Sequence, residues 1–318
     1  MRRVLFLVNP LMASKRTKLA AVDRCVRILR AEGCEAEVRE TLSRDNAAGH
    51  AREAVASGFD TIFACGGDGT AFYVLQGIAG SPAALGILPL GTGNVLARNL
   101  GLPRDPEAAF RAQRKAIPTE IPLGEVICGE RGWYFTIAAG IGLHAALMNV
   151  APSGQAKRIW GRAVYYAGGV RLLLRHYVQP FNVELTEVSG NIREFRACEL
   201  LALRVAAIDR WRTGGELLSP HLRVAAVPHT GRFGLAYASF HGLVTSRSRE
   251  ISAAKRRLPC PFYADAAQVV FRPAERFSYK SPLLLQADGE VIDAECATLR
   301  MAQMRLRLLW PIRRAGLT

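Results

Sequence analysis

The stretch TIFACGGDGTAFYVLQG, residues 61–77, joins a short apolar run to a helical pattern through the turn GGDGT at residues 66–70. A tight turn needs one or two glycines to reach positive φ, so three glycines around one acid indicate that something approaches the backbone closely. Backbone N–H groups in such a turn, followed by a helix N-terminus, bind anions. The stretch therefore predicts a phosphate site. A plain strand-to-helix turn with Thr70 as the N-cap residue is the structural alternative.

A second turn of the same design follows the apolar run ALGILPL at 84–90. It contributes Gly91, Thr92 and Asn94 and precedes a helical pattern near residues 92–99. Neither turn has the GxxxxGK[ST] or GxGxxG pattern. Two such turns after consecutive strands indicate a nucleotide site more specifically than either alone. Asp68 beside a phosphate further predicts a bridging cation, for which Mg²⁺ is the usual choice.

Around these turns, strand-like and helix-like segments alternate through the first third of the chain. The run VLFLV at 4–8 precedes a helical pattern with apolar Leu19, Val22, Val26 and Leu29. This alternation predicts a mostly parallel sheet covered by helices. After about residue 120, short β-like runs separated by Gly, Pro and Ser predict an antiparallel β domain, interrupted by one helix at 157–178.

The composition sets limits on the class of protein. Half of the 318 residues are hydrophobic, which predicts a packed globular protein with two domains. Lys and Arg exceed Asp and Glu by 42 − 27 = 15, which favours nucleic acid, anionic membranes or phosphorylated ligands as partners. Seven cysteines without a CxxC pair indicate reduced thiols in the cytoplasm. No apolar window is long enough for a transmembrane helix, and the run at 4–8 is too short for a signal peptide.

Three motifs occur in one order along nearly the whole chain: GGDGT at 66–70, PLGTGNVLARNLGLP at 89–103 and LQADGE at 285–290. With VNP at 8–10 and FTIAAGIGLHAAL at 135–147, they resemble the diacylglycerol kinase catalytic-domain family. That family includes bacterial lipid kinases, is related to sphingosine kinases and belongs to the NAD kinase-like superfamily. The resemblance implies an α/β fold: a three-layer nucleotide-binding domain at 1–122, completed by 297–318, and a β-sandwich-like lipid-substrate domain at 123–296.

The resemblance also implies an activity, which is transfer of the γ-phosphoryl group of ATP, with Mg²⁺, to a hydroxyl of diacylglycerol or a similar lipid. Asp288 would be the general base and Glu290 would support it. Asp68 and Glu290 would bind the metal. Taken alone, the segment ADGE is also a strong signal for a β-hairpin turn. The implied nucleotide-binding residues are Asn9, Gly66, Gly67, Asp68, Gly69, Thr70, Gly91, Thr92 and Asn94. In addition, Lys15 or Arg16 is placed by the sequence to meet a phosphate.

A lipid substrate implies contact with a bilayer, so we expect a cytoplasmic protein that associates peripherally with anionic membranes. Two segments rich in basic residues, 157–178 and 246–257, are suited to that contact. Packing of 157–178 in the core is the alternative. Nucleic-acid binding is not expected, because no zinc finger, RNP motif or basic-region heptad occurs. The sequence leaves a homodimer open.

The chain departs from the family pattern at several acidic positions. Phe72-Tyr73 replaces an Asn-Glu pair, and Val95, Pro122 and His144 stand where acids are usual. The acid-rich loop that holds a structural metal in some members is not recognisable at 219–234. Fewer acids mean weaker Mg²⁺ binding. Two alternatives to the kinase therefore stay open: a degenerate member that binds nucleotide or lipid without transfer, and, more remotely, a nucleic-acid-binding protein.

Overall fold

The computed structural model describes the chain in ranges separated by gaps, and it divides into two compact units. The first unit comprises Met1–Leu123 and Ala302–Thr318, and the second comprises Gly124–Met301. The described residues are 1–9, 16–41, 44–142, 145, 180–209, 211–228, 262–274, 284–293 and 296–311.

The first unit alternates strands and helices, as its sequence pattern predicts. Strand β3 ends in the first glycine turn and β4 ends just before the second. In chain order, the elements are β1 (Arg3–Val8), α1 (Arg16–Ala31), β2 (Glu35–Glu40), α2 (Arg44–Ala56), β3 (Thr61–Gly66), α3 (Asp68–Ile78), β4 (Ala84–Pro89), α4 (Val95–Asn99) and α5 (Pro106–Gln113).

A parallel sheet with the strand order β2-β1-β3-β4-β16 forms the centre of the first unit. The last of these strands, β16 (Ala297–Leu308), returns from the second unit and pairs Arg307 with Ala84 and Leu308 with Leu85. The chain leaves β1 towards β2 and comes back to β3 on the other side of β1. Ligands of open α/β sheets bind outside the carboxyl ends of the strands at such a reversal.

Helices cover both faces of this sheet. Helix α1 packs with α5, and α2 packs with α3. Right-handed crossovers place α1 on one face and α2 and α3 on the other, so the two pairs form the outer layers. The predicted three-layer arrangement is confirmed.

The buried face of α1 differs by one residue from the expected one. Val22, Cys25, Val26 and Leu29 are buried, but Leu19 is 37% exposed. Leu19, the first apolar residue of the predicted helical pattern, therefore does not belong to the buried face. The buried residues recur at three- and four-residue spacing. At about 100° per residue, Leu19 lies about 70° from the centre of this stripe, at its border.

Strands dominate the described part of the second unit. Strand β5 (Thr119–Cys128) enters it from the first unit. In chain order, the strands that follow are β6 (Arg131–Phe135), β7 (Ala138–Gly142), β8 (Phe181–Glu187), β9 (Ile192–Leu203), β10 (Ala207–Ile208), β11 (Trp211–Arg212), β12 (Leu222–Pro228), β13 (Phe262–Pro273), β14 (Leu284–Ala287) and β15 (Glu290–Asp293), before the beginning of β16.

Four antiparallel strands of this unit close on one another. Strand β9 pairs with β12 and β8, and β13 pairs with the same two strands. The long strands β9 and β13 thus pass from one partner to the other, and the register shifts near Pro228 and Gln268 accompany this change. Such bulges bend strands at the corners of sandwiches and barrels.

Candidate active site

The two glycine turns touch at the carboxyl ends of β3 and β4. The backbone N–H groups of Leu90 and Gly91 both donate to the carbonyl oxygen of Gly66, at 2.9 and 3.1 Å. A Cβ atom at residue 91 would lie only 2.5 Å from the Cα atom of Gly67. The contact therefore requires glycine at position 91. It joins the two predicted phosphate turns at the carboxyl ends of β3 and β4, next to the reversal between β1 and β3.

Helix α3 begins at Asp68, so that Thr70 lies in its first turn. Its N-cap is Gly67, whose backbone is extended and which supplies no side-chain cap. The alternative role of Thr70 as N-cap is therefore wrong. Thr70 instead packs over the turn, where a Cβ atom at Gly66 would lie 2.1 Å from its Oγ1 atom. The first turn of α3 then presents backbone N–H groups from Asp68 and Gly69, a suitable environment for an anion.

The Asp68 carboxylate links the first glycine turn to the second. Its Oδ2 atom accepts the N–H of Val95 at 3.0 Å, and its Oδ1 atom accepts that of Leu96 at 3.1 Å. Burial raises the pKa of this carboxyl, although the two N–H groups and the positive charge of Arg98 act in the opposite direction. The predicted metal ligand thus also caps the N-terminus of α4.

Asn94 closes the second turn with its own side chain. Its Oδ1 atom accepts the Gly91 N–H at 3.1 Å, and its Nδ2 atom donates to the Gly91 carbonyl at 2.9 Å. Its φ of 46° lies in the left-handed region, which asparagine tolerates better than most residues. For this reason α4 starts at Val95, whereas the sequence pattern predicted a start near residue 92. Thr92, by contrast, is exposed.

The end of β1 joins the same region. The backbone N–H of Asn9 donates to the carbonyl of Cys65 at 3.1 Å, one residue before the first glycine turn. The predicted nucleotide-binding residues of all three segments therefore lie together in the first unit.

Replacing Asp68 with Ala is expected to lower the free energy of unfolding by about 1–3 kcal/mol, because two helix N–H groups lose their acceptor. We also expect weaker binding of Mg-ATP, measured by titration calorimetry. Asp105→Ala is the matched control, since Asp105 caps α5 by accepting the Ala108 N–H at 2.8 Å. Unchanged ATP affinity in Asp68→Ala, or an equal loss in Asp105→Ala, would contradict a binding role for Asp68.

Asp288 lies in a tight hairpin between β14 and β15. Ala287 pairs with Glu290, and the two residues between them, Asp288 and Gly289, have φ of 48° and 89°. Positive φ at both central positions defines a type I′ turn, for which Asp-Gly is a preferred sequence. The hairpin interpretation of ADGE is confirmed.

The Asp288 carboxylate accepts four hydrogen bonds from the connection between β6 and β7. Oδ2 accepts the backbone N–H and the hydroxyl of Thr136, at 2.8 and 2.9 Å. Oδ1 accepts the backbone N–H groups of Ile137 and Ala138, at 2.8 and 3.0 Å. Burial nevertheless raises the pKa of Asp288 to about 6. A carboxyl that titrates near neutrality is suited to general base catalysis.

A metal ion at this site would have few protein ligands. In the ranges that the structure describes, no three His, Cys, Asp or Glu side chains form a cluster that could hold a metal ion. Mg²⁺ is commonly held by one or two carboxylates together with substrate phosphates and water, so Asp68 fits this role without a protein cage. Glu290 is the first residue of β15. Like Asp288, it belongs to the second unit. His144 and the segments 157–178 and 246–257 lie outside the described residues.

Sequence reasoning missed two polar residues of the second unit. Thr136 carried no recognisable signal, because its partner Asp288 is 152 positions away. Arg204 is fully buried, and its guanidinium donates to the carbonyls of Leu217, Ser219 and His221 at 2.7, 2.7 and 3.1 Å. Burial lowers the pKa of Arg204 to about 10. An arginine within the apolar run LLALRVAAI was the available signal for this internal cation.

Comparison with known proteins identifies relatives of both parts of the chain. Residues 3–126 match the diacylglycerol kinase catalytic domain. The chain is 36% identical over 121 residues to the "Probable lipid kinase YegS-like" of Cronobacter sakazakii and 34% identical over 163 residues to the diacylglycerol kinase of Bacillus subtilis (strain 168). These alignments cover 36% and 50% of this chain, and they span only 39% and 51% of the two relatives. A YegS-like protein of Xanthomonas campestris pv. campestris is 27% identical over 320 residues, covering 95% of both chains.

Solved structures share the fold along 97% of the chain. The crystal structure of a diacylglycerol kinase from Bacillus anthracis str. Sterne has a TM-score of 0.63 at 17% identity, and a second structure from that organism has a TM-score of 0.69 at 20% identity. The predicted fold class is thus confirmed. Over residues 3–126, the chain is thus similar to the diacylglycerol kinase catalytic-domain family.

Proposed function

We propose that this protein is a lipid kinase that transfers the γ-phosphoryl group of ATP to a hydroxyl of diacylglycerol or a similar lipid. The contact between the two glycine turns, where no Cβ atom fits between Gly67 and Gly91, is the observation that carries the proposal. A backbone without side chains at this point lets phosphate groups approach the N–H groups of the turns. The similarity of residues 3–126 to the diacylglycerol kinase catalytic domain supports a kinase.

In the proposed site, the residues of the first unit hold the nucleotide. Backbone N–H groups of Gly67, Asp68 and Gly69 bind phosphate oxygens at the start of α3, and Thr92 contributes its exposed hydroxyl. Asn94 acts mainly by shaping the turn that carries Gly91. The remaining predicted contacts are those of Asn9, Gly66 and Thr70, which border the same turns.

In the proposed reaction, the lipid hydroxyl oxygen forms a bond to the γ-phosphorus while the bond from that phosphorus to the bridging oxygen of ADP breaks. The electron pair of the broken bond stays on ADP, and the hydroxyl proton goes to the Asp288 carboxylate. When bound, Mg²⁺ would offset the negative charge of the phosphates, with Asp68 and Glu290 as its proposed ligands. Asp288 must exchange one of its four donors for the lipid hydroxyl, and the rotatable hydroxyl of Thr136 is suited to leave.

Transfer of ³²P from [γ-³²P]ATP into a panel of lipids in mixed micelles tests the proposal. The panel contains diacylglycerol, phosphatidylglycerol, ceramide and a long-chain base. A labelled lipid that depends on Mg²⁺ is the expected result and identifies the substrate class. Nucleotide binding without any labelled lipid would overturn the kinase proposal.

A second candidate function is a degenerate member that binds nucleotide or lipid without transferring phosphate. One observation favours it: all of the roughly four lone-pair positions of the Asp288 carboxylate already receive donors. In that case Asp288 serves only to anchor the hairpin to the connection between β6 and β7.

The pH dependence separates a base from an anchor. We expect kcat/KM to fall about tenfold per pH unit below about pH 6 and to be level above it, because the raised pKa of Asp288 is about 6. Stability should change in the opposite sense: the folded state binds this proton more tightly than the unfolded chain, so the contribution of Asp288 to stability decreases as pH rises from about 4 to 6. Calorimetric ATP titrations at each pH correct for nucleotide binding. An acid limb near pH 4 would contradict the raised pKa.

The lipid substrate makes peripheral binding to anionic membranes from the cytoplasm part of the proposal. Within the described ranges, no helix has the length and apolar character to cross a bilayer. Co-sedimentation with vesicles of phosphatidylcholine, with and without phosphatidylglycerol, measures this association. We expect binding that requires the anionic lipid and weakens with salt.

A further inference from the structure

One lysine of α1 continues the helix face that packs into the core. Val22, Cys25, Val26 and Leu29 form that face, and Lys18 precedes Val22 by four residues, which is about one turn. A position in this stripe is normally apolar, yet Lys18 occupies it and is half-buried. Its place in the first turn of α1 brings it to the edge of the sheet where β1 ends.

The Lys18 ammonium group contacts the backbone between the two glycine turns. Its Nζ atom donates to the carbonyl oxygen of Leu90. Leu90 directly precedes Gly91, and its own N–H donates to the carbonyl of Gly66 at 2.9 Å. The positive charge of Lys18 is therefore fixed where the two turns meet.

The charge of the turns themselves makes this position significant. Within residues 66–70 and 91–94, Asp68 is the charged side chain, and it is acidic. A nucleoside triphosphate brings several negative charges to these turns, and a lysine serves such sites as a compact positive charge. An ammonium group has three N–H donors, so it can exchange a partner for a phosphate oxygen while it keeps Leu90.

From this geometry we infer that Lys18 binds the β- and γ-phosphates of the nucleotide. The inference deepens the proposed function and rests on it. It assigns the cationic role to Lys18 in place of the Lys15 or Arg16 that the sequence suggested. Lys15 lies outside the described residues.

Calorimetric titration of Lys18→Met with ATP and AMP, in the presence of Mg²⁺, tests the inference. The variant keeps most of the apolar stem and removes the charge. We expect the affinity for ATP to fall about tenfold or more, and the affinity for AMP, which lacks the β- and γ-phosphates, to change less than about threefold. Lys115→Met, at an exposed lysine after α5, is the matched control and should bind both nucleotides as the wild type does.

The outcomes separate this inference from the proposed function. Wild-type protein that binds no nucleotide would overturn both. Wild-type binding of ATP with unchanged affinity in Lys18→Met would overturn the role of Lys18 alone, as would an equal loss for ATP and AMP, which would indicate a change in the turns. If Lys18→Met does not fold by circular dichroism, Lys18→Gln replaces it with the same expected result.

Discussion

Asp288→Asn is expected to abolish lipid phosphorylation and to lower the melting temperature at the same time. The activity loss should be about 10²- to 10⁴-fold, the usual contribution of a general base. The stability loss arises because the amide NH₂ of Asn would face backbone N–H groups of Thr136, Ile137 or Ala138, all of which donate to the carboxylate. Each donor left without an acceptor costs about 1–3 kcal/mol. Thermal unfolding and the ³²P assay measure the two effects.

Two further variants distinguish catalysis from anchoring. Thr136→Val removes one hydrogen bond to Asp288 but leaves the carboxylate, so it should reduce stability with a much smaller loss of transfer. Asp265→Asn changes an exposed acid of the same unit, paired with Arg223 at the surface, and should leave both properties nearly unchanged. If Asp288→Asn, assayed well below its melting temperature, keeps wild-type activity, Asp288 is not the base.

Gly91→Ala should weaken ATP binding by at least about tenfold and destabilise the first unit. A methyl group at this position would lie 2.5 Å from the Gly67 Cα and 2.8 Å from the Asn94 Oδ1 atom. The first of these atoms belongs to the backbone, so the clash is relieved only if the two turns move apart. Overpacking of this kind typically costs about 1–3 kcal/mol. Titration calorimetry with ATP and thermal unfolding measure the result.

Gly49→Ala provides the control for the same chemical change elsewhere. Gly49 lies inside α2, and no atom is within 4 Å of the position of an added Cβ. Alanine should therefore stabilise the protein by about 0.5–1 kcal/mol and leave ATP affinity unchanged. Wild-type ATP affinity in Gly91→Ala would show that the close approach of the turns is not needed for the nucleotide.

Local chemistry explains why so much of the first unit could be predicted. The runs before Gly66 and Gly91 are apolar and short, and the glycine turns that end them predict β3, β4 and their connection to helices without reference to the rest of the chain. The starts of the helices were less predictable. Helix α3 starts at Asp68 because the extended Gly67 caps it, and α4 starts at Val95 because Asn94 is left-handed.

Contacts between distant parts of the chain account for what the sequence did not disclose. The turn at Asp288 is readable from Asp-Gly, but its four donors come from residues 136–138, and no local pattern connects the two segments. Similarly, Asp68 was predicted as a metal ligand, whereas its bonds to Val95 and Leu96 depend on how the two turns meet. The role of Lys18 was not predicted, because in the sequence the neighbouring Leu19 fits the apolar pattern of α1.

The return of β16 to the first unit affects how this protein folds during synthesis. Leu85 of β4 pairs with Leu308, and the N–H of Leu309 donates to the Leu85 carbonyl at 2.8 Å. Neither contact can form before these two residues have been synthesised. The roughly 220 residues between them take about 10–45 s to translate at 5–20 residues per second. Throughout that interval β4 lacks its second strand partner at Leu85, whereas the Gln113 side chain already pairs with the backbone N–H and carbonyl of Ile87. An unpaired strand edge is a known risk for aggregation. A ribosome-bound nascent chain arrested before residue 305 should therefore bind a chaperone or β-aggregation probe at β4, and one extended well beyond residue 309 should not.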